Sequence, residues 1–187
     1  GQRKVNFMYS TEQVYLQDEN TTGFIKYYAG RDYAFVGLLP AVGVRLDDYV
    51  AALSGDKLYQ LLQNAEEQEV SVAIPRFTGD YELKMDDVLQ RMGMVDAFDA
   101  GLADFSAMAT MLDGQNLFIS EVLHKTHIEV DEQGTKAASV TAVEIECGAM
   151  PSEENLKIVE LNRPFVYLLI DCREQLPLFI GAVRSVE

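Results

Sequence analysis

Short apolar runs alternate with polar turns through the first forty positions of the 187-residue chain. The runs are rich in β-branched and aromatic residues, which predicts four strands, at residues 5–9, 14–17, 24–28 and 33–39. Polar or glycine-containing turns separate them, at residues 10–13, 18–23 and 29–32. Because a parallel crossover needs a longer connection, this close spacing predicts antiparallel hairpins.

The pattern then changes to apolar residues at helical spacing. Three short helices are predicted, on Leu46, Tyr49, Val50 and Leu53, on Leu58, Leu61, Leu62 and Ala65, and on Met85, Val88, Leu89 and Met92. Ser54 is suited to cap the start of the second helix, and Gly93 to end the third. Between the second and third helices, residues 68–74 alternate as a strand that Pro75 ends.

The second half of the chain returns to strands. Residues 97–114 are expected to be irregular, and residues 117–130 predict one long strand. A stretch of small residues (134–143) and a polar stretch (144–154) follow. Three more strands are predicted at residues 156–161, 165–170 and 178–183. The pattern as a whole predicts an α+β protein of mostly antiparallel β-sheet with three short helices.

Composition and charge narrow the possible functions. Hydrophobic residues make up 48% of the chain and charged residues 24%, which is typical of a globular domain. With 30 acidic and 15 basic residues the net charge is −15, so phosphate backbones and anionic membrane surfaces would repel the chain. We therefore expect neither a nucleic-acid nor a membrane partner. The longest apolar runs, such as residues 165–170, are far below the roughly 20 residues that cross a bilayer.

The residues that could carry catalysis or bind metal do not form a convincing set. His124, His127 and Cys147 would suggest a Cys–His protease only if they met in space with a third orienting group, and the sequence does not indicate this. We interpret His124 as a polar residue packed between strands. The two cysteines, Cys147 and Cys172, neither require a disulfide nor show metal spacing with the histidines. No catalytic residue, metal or cofactor is expected.

Several motifs occur in a defined order. They are His124-Lys125 followed by Ile128-Glu129-Val130-Asp131-Glu132-Gln133-Gly134-Thr135, then Leu161-Asn162-Arg163-Pro164-Phe165-Val166-Tyr167-Leu168-Leu169, and then Pro177-Leu178-Phe179-Ile180-Gly181, with Pro75-Arg76-Phe77, residues 89–94, Phe98 and Ala103-Asp104-Phe105-Ser106 upstream. Together they resemble the serpin family across essentially the whole chain. The resemblance implies the half of the serpin fold that carries sheets B and C, together with two strands of sheet A.

The resemblance also implies a domain layout. A complete serpin is about twice as long, so residues 1–187 are expected to form one partial serpin domain, the C-terminal half. Within it, residues 1–74 are predicted to hold the sheet B and C strands and two short helices, and residues 75–131 the sheet A strands and one helix. Residues 132–155 would form the reactive loop, and residues 156–187 the terminal strands.

In serpins a protease attacks the reactive loop, and the cut loop then inserts as a new strand into sheet A. The hinge that starts this insertion would comprise Glu132, Gly134, Thr135, Ala137, Ala138, Ser139 and Thr141. Glycine permits unusual backbone angles, and short side chains at alternate positions tolerate burial. Lys136 departs mildly from the acidic residue usual in inhibitory serpins. A flexible linker or an edge strand is the alternative interpretation of residues 134–143.

The family's usual distance from the hinge places the cut within or near Glu146, Cys147, Gly148, Ala149 and Met150. No arginine or lysine occurs in residues 143–155, so an elastase-like or subtilisin-like serine protease is the expected target. A cut after Met150 is disfavoured because Pro151 follows.

The leading hypothesis is therefore a serpin-type suicide-substrate inhibitor. Its partners would be an endopeptidase and the N-terminal half of the same serpin, and this half would not be inhibitory by itself. A non-inhibitory serpin-like binding module, or a plain β-rich interaction module, are the alternatives. A secreted or cell-surface location is expected, and a cytoplasmic one is left open.

Overall fold

A computed structural model describes residues 6–109, 116–135 and 156–185, without the side chain of Thr135. These residues contain ten strands, three α-helices and one 3₁₀ turn. In chain order they are β1 (Phe7–Gln17), β2 (Thr21–Tyr27), β3 (Tyr33–Pro40), α1 (Leu46–Ala52), α2 (Gly55–Gln63), β4 (Glu66–Pro75), β5 (Phe77–Lys84), α3 (Asp86–Arg91), the 3₁₀ turn Asp96–Phe98, β6 (Leu123–Asp131), β7 (Gly134–Thr135), β8 (Lys157–Glu160), β9 (Phe165–Asp171) and β10 (Leu176–Val183).

The chain forms two compact units. The first comprises the described residues within Gly1–Phe77 and Glu129–Glu187, and the second is Thr78–Ile128. The first unit is built on a seven-stranded sheet in the order β10-β9-β3-β2-β1-β4-β8. Its neighbouring strands are antiparallel, except that β8 lies parallel to β4. The antiparallel hairpins predicted around the turns at residues 18–23 and 29–32 are therefore confirmed.

The centre of this sheet is buried on both faces, as the unbroken apolar sequence of β9 requires. On one face Val166 and Leu168 pack with apolar residues of α1 and α2, including Tyr49 and Leu61. The second helix begins as predicted, because the Ser54 hydroxyl accepts a hydrogen bond from the backbone N–H of Lys57 at 3.2 Å.

The opposite face is aromatic. The rings of Phe24, Phe35 and Tyr167 lie in a row, with centroids 6.2 Å apart at each step. Phe77 packs edge-on against Phe165, 5.7 Å between ring centroids, and also contacts Tyr167 at 5.2 Å. The side chain of Phe165 has no solvent exposure, so the terminal strand predicted from residues 165–170 lies in the core.

The predicted turn at residues 10–13 is wrong, because β1 runs unbroken through it. The polar residues are accommodated inside the strand, where the Lys26 ammonium donates to the Ser10 hydroxyl at 3.1 Å and also contacts Glu12. The pairing of β1 with β4 shifts between Glu12 and Val14. A β-bulge of this kind accommodates the polar residues 10–13 within the strand without ending it.

A second, smaller sheet has three strands in the order β5-β6-β7. Cross-strand contacts between polar side chains run along β5 and β6. The Glu82 carboxylate pairs with the Lys125 ammonium, and the Asp80 carboxylate lies 2.7 Å from the His127 Nδ1. The strand predicted from residue 117 begins only at Leu123. The backbone of Val122 is instead bonded outside the ladder, to the Met85 N–H and the Asp86 carboxylate.

The α+β architecture with three short helices and predominantly antiparallel sheets is thus confirmed. The division of residues 1–187 into sheet B/C, sheet A, loop and terminal segments stays a prediction.

Candidate functional site

The predicted hinge begins as a tight hairpin at the end of β6. In this hairpin Val130 pairs with Thr135 and Asp131 pairs with Gly134, so two residues make the turn. The Gln133 N–H donates to the Asp131 carboxylate at 2.8 Å, which closes the turn locally. Gly134 has φ +114°, a region that residues with a side chain rarely occupy. A glycine at this position lets the chain fold back and begin a new strand beside β6.

A single ion pair holds the turn of this hairpin. The Arg76 Nε donates to the Glu132 Oε1 at 2.7 Å, and its Nη2 donates to the same oxygen. Both side chains are half exposed, at 51% each, so the pair is not isolated from solvent. The hydrogen bond from Arg76 is the main cause that lowers the pKa of the Glu132 carboxyl, followed by a backbone hydrogen bond.

Arg76 is itself fixed in place. It stands between the end of β4 and the start of β5, and its backbone N–H donates to the Asn6 carbonyl at 3.1 Å. Pro75 restricts the backbone on one side, and Phe77 is anchored among aromatic rings on the other. The guanidinium group therefore extends from a rigid junction toward the hinge turn.

After the predicted loop, the next described strand is β8. This strand pairs with β4 from Lys157, opposite Val70, to Glu160, opposite Ala73. It is the edge strand of the seven-stranded sheet. Val159 is 1% exposed, whereas Ile158 on the other face is 67% exposed. One end of the loop is thus held by a hairpin and an ion pair, and the other by a partly buried edge strand.

Three of the predicted hinge residues fall in this described geometry: Glu132, Gly134 and the backbone of Thr135. The others lie outside the described residues, as does the whole predicted scissile region. They are Ala137, Ala138, Ser139 and Thr141 of the hinge, and Glu146, Cys147, Gly148, Ala149 and Met150 around the cut. Arg76, which pairs with Glu132 at this turn, was not assigned to the hinge from the sequence, although it lies in the Pro75-Arg76-Phe77 motif.

The histidines take up different positions from those expected. His124 is exposed, with its Nε2 2.9 Å from the Thr126 hydroxyl, so its predicted packing between strands is wrong. The first three residues of β6, Leu123 to Lys125, are all exposed, so the His124 ring lies in solvent. The His127 Nδ1 lies 2.7 Å from the exposed Asp80 carboxylate.

Cys172 is a free, partly buried thiol. Burial, followed by the nearby Asp171 and Asp32 carboxylates, raises its pKa, which disfavours the reactive thiolate form. Within the described ranges, acidic, histidine and cysteine side chains do not gather in a group of three that could hold a metal ion.

The lowered pKa of Glu132 gives a direct test of the ion pair. Replacing Arg76 with glutamine should raise the pKa of Glu132 toward the ordinary value of about 4.3, as followed by the side-chain ¹³C shift in an NMR titration. The fold lowers the pKa of Glu132, so the ion pair stabilises the folded state fully when the pH is above the ordinary pKa of a glutamate. This stabilisation is lost as the pH falls through the lower pKa of the folded state.

The matched control for this titration is Arg173→Gln. Arg173 is also exposed and paired with a carboxylate, in this case Asp32, so its loss changes net charge equally. An equal rise in the pKa of Glu132 in both variants would contradict a specific pair with Arg76.

Comparison with known proteins supports the resemblance drawn from the motifs. The family model described as serpin (serine protease inhibitor) matches residues 1–186. The chain is 36% identical over 159 residues to intracellular coagulation inhibitor 2 of Tachypleus tridentatus, covering 85% of this chain and 38% of the relative. It is 30% identical over 194 residues to the leukocyte elastase inhibitor of Xenopus laevis, covering 98% and 49%.

A solved structure agrees closely. The thermophilic serpin tengpin in its native state superposes with a TM-score of 0.82 at 45% identity, over 98% of this chain and 46% of that chain. The α+β fold, dominated by β-sheet and with three short helices, is thus shared with a serpin of known structure. The chain belongs to the serpin family, and it spans less than half of the length of each of these relatives.

Family membership supports a protease-inhibitor function with protease targets, at the level of the family. Serpins in general are inhibitors and not catalytic enzymes. The relatives include a serpin whose name marks it as intracellular. No helix among the described residues has the length and apolar character of a membrane span.

Proposed function

We propose that this chain carries the reactive-loop half of a suicide-substrate protease inhibitor. The observation that supports this most strongly is the β6–β7 hairpin. Gly134 and Thr135 already pair with the end of β6, so the predicted loop starts as the first two residues of a strand in the smaller sheet. Pairing can extend residue by residue from there once the loop is free at its far end.

The proposed mechanism is mechanical. A target protease attacks the loop between Ile145 and Met150 and forms an acyl-enzyme, and the released segment then lengthens β7. A strand of about 14 residues at roughly 3.3 Å each would carry the bound protease on the order of 45 Å. Distortion of the protease active site by this displacement prevents the hydrolysis that would release it. Stored strain, released by the cut, drives the change.

The remaining part of a serpin is the proposed second partner. In the described residues, β7 is an edge strand, with β6 on one side and no strand on the other. An inserted strand is held firmly only between two neighbours, and an unpaired edge leaves half of its backbone groups to water. The relatives are more than twice as long as the matched region, and we propose that the segment they have in addition supplies the missing neighbour.

The proposed targets are elastase-like or subtilisin-like serine proteases. Apart from Glu146, the residues from Ile145 to Met150 are small or apolar, and they include no arginine or lysine, which suits a protease with an apolar specificity pocket. We also propose a secreted or cell-surface location for the whole inhibitor, because such proteases act outside cells; the intracellular relative makes the cytoplasm the competing location.

Incubating the 187-residue chain with pancreatic elastase tests both the site and the dependence on the missing segment. We expect cleavage between residues 145 and 151, read by mass spectrometry, without a covalent complex that survives SDS. A chain that is cut first elsewhere would contradict the assigned loop. A strong SDS-stable complex would contradict the requirement for a second neighbouring strand.

A further inference from the structure

The first unit contains a cleft beside the loop that follows β3. It has a volume of about 400 Å³ and is formed by residues 40–47, together with Arg163, Pro164 and Arg184. This volume falls within the range of about 300–1,000 Å³ that is typical of small-molecule sites. The loop after β3, the turn before β9 and the end of β10 meet here.

The charge of this cleft is opposite to that of the protein. Three arginines line it, Arg45, Arg163 and Arg184, against one lining carboxylate, Asp47. The Arg45 Nε also lies 4.0 Å from the exposed Asp48 carboxylate, a loose pair that leaves most of its N–H donors available. The chain as a whole has twice as many acidic as basic residues. The cleft is therefore a local positive region on a strongly negative molecule, and it favours an anion there over other parts of the surface.

The arginines retain free bonding capacity. Arg163 donates from Nη2 to the Pro40 carbonyl at 2.9 Å, and its buried Nε has no hydrogen-bond partner among the described residues. Arg184 donates from Nη1 to Asp47 but its side chain is 70% exposed. A guanidinium group has five N–H donors, so Arg184 can hold Asp47 and a second oxyanion together.

The remaining wall of the cleft is apolar. Val42, Val44 and Pro164 line it, and Val42 is 88% exposed. A bare inorganic ion would leave this surface in water. A ligand with an oxyanion at one end and a short apolar body would satisfy both halves of the lining.

We infer that this cleft binds a small amphipathic organic anion, with its carboxylate or equivalent oxyanion on Arg184 and Arg45 and its apolar body on Val42 and Val44.

The test is a ¹⁵N–¹H NMR titration of the 187-residue chain with three probes: 4-phenylbutyrate, the neutral 4-phenylbutanamide, and inorganic phosphate. We expect saturable shifts with 4-phenylbutyrate, confined to residues 41–47, 163 and 184. The amide should bind at least about threefold more weakly because it lacks charge-assisted hydrogen bonds. Equal binding of the amide, or equal binding of phosphate, would overturn the inference, as would no saturable binding.

Two variants separate the halves of the site. Arg184→Gln should weaken 4-phenylbutyrate binding by about three- to tenfold, and Val42→Ser should weaken it without changing phosphate binding. The control is Arg173→Gln, which makes the same change in net charge at an exposed ion pair outside the cleft and should leave binding within about twofold. A loss in the control equal to that of Arg184→Gln would show that general charge alone matters, and would overturn the assigned site.

Discussion

Replacing Phe165 with alanine is expected to lower the free energy of unfolding of the chain by about 3–5 kcal/mol. The ring has no solvent exposure and lies edge-on to Phe77. Its removal leaves a cavity between β9 and the start of β5. Because small domains are stable by only about 5–15 kcal/mol in total, this loss is a large share of the stability of the chain. Urea denaturation followed by circular dichroism measures the change.

Two controls distinguish this effect from a general loss of apolar surface. Phe118→Ala removes a ring that is 47% exposed and should cost less than about 1 kcal/mol. Phe165→Leu keeps most of the volume and should cost about 1.5 kcal/mol. If Phe118→Ala destabilised the chain as much as Phe165→Ala, the assignment of Phe165 to the central core would be wrong.

Replacing Thr135 with proline is expected to convert the assembled inhibitor into a substrate. Thr135 is the second residue of β7 and pairs with Val130. Proline lacks the backbone N–H and is tolerated only at sheet edges, so it opposes a strand inserted between two neighbours. A missing buried hydrogen bond costs about 1–3 kcal/mol, and the yield of covalent complex should fall by about tenfold or more.

The measurement is the fraction of protease trapped in SDS-stable complex, in an assembled serpin that contains this chain. Thr135→Val is the matched control, since it keeps the N–H and the β-branched shape, and it should trap protease nearly as well. An unchanged complex yield in the proline variant would contradict insertion through the β6–β7 hairpin.

Local chemistry explains which elements could be predicted from the sequence. The second helix is defined by Ser54 as its cap and by leucines at helical spacing, and both signals act within a few residues. Strand β9 is an unbroken apolar run that only a buried position tolerates. Such signals are contained in the segment itself, so these two elements were predicted with small errors at their ends, whereas β5 was not predicted.

The errors arise where distant residues decide the outcome. Ser10 and Glu12 are typical of a turn, but they lie inside β1 because Lys26 of the neighbouring strand bonds to both. In the same way, Val122 bonds to Asp86 and Met85, which delays the start of β6.

The predicted hinge also contains one feature that the local sequence reveals and one that depends on a distant residue. Gly134 is visible in the sequence because a left-handed backbone angle favours glycine. The partner of Glu132 is not visible, because Arg76 is 56 positions away and only the crossover from β4 to β5 brings it close. Predicting such an ion pair requires knowledge of the topology, whereas predicting the role of the glycine requires only the local backbone conformation.

In the proposed mechanism, the cut loop lengthens β7 into a full strand. The most direct measurement is the melting temperature of an assembled serpin containing this chain, before and after a single elastase cut between residues 145 and 151. Insertion adds a strand to the smaller sheet, so we expect the melting temperature to rise by about 10 °C or more. A cut protein that melts at the same temperature as the intact one would contradict the claim.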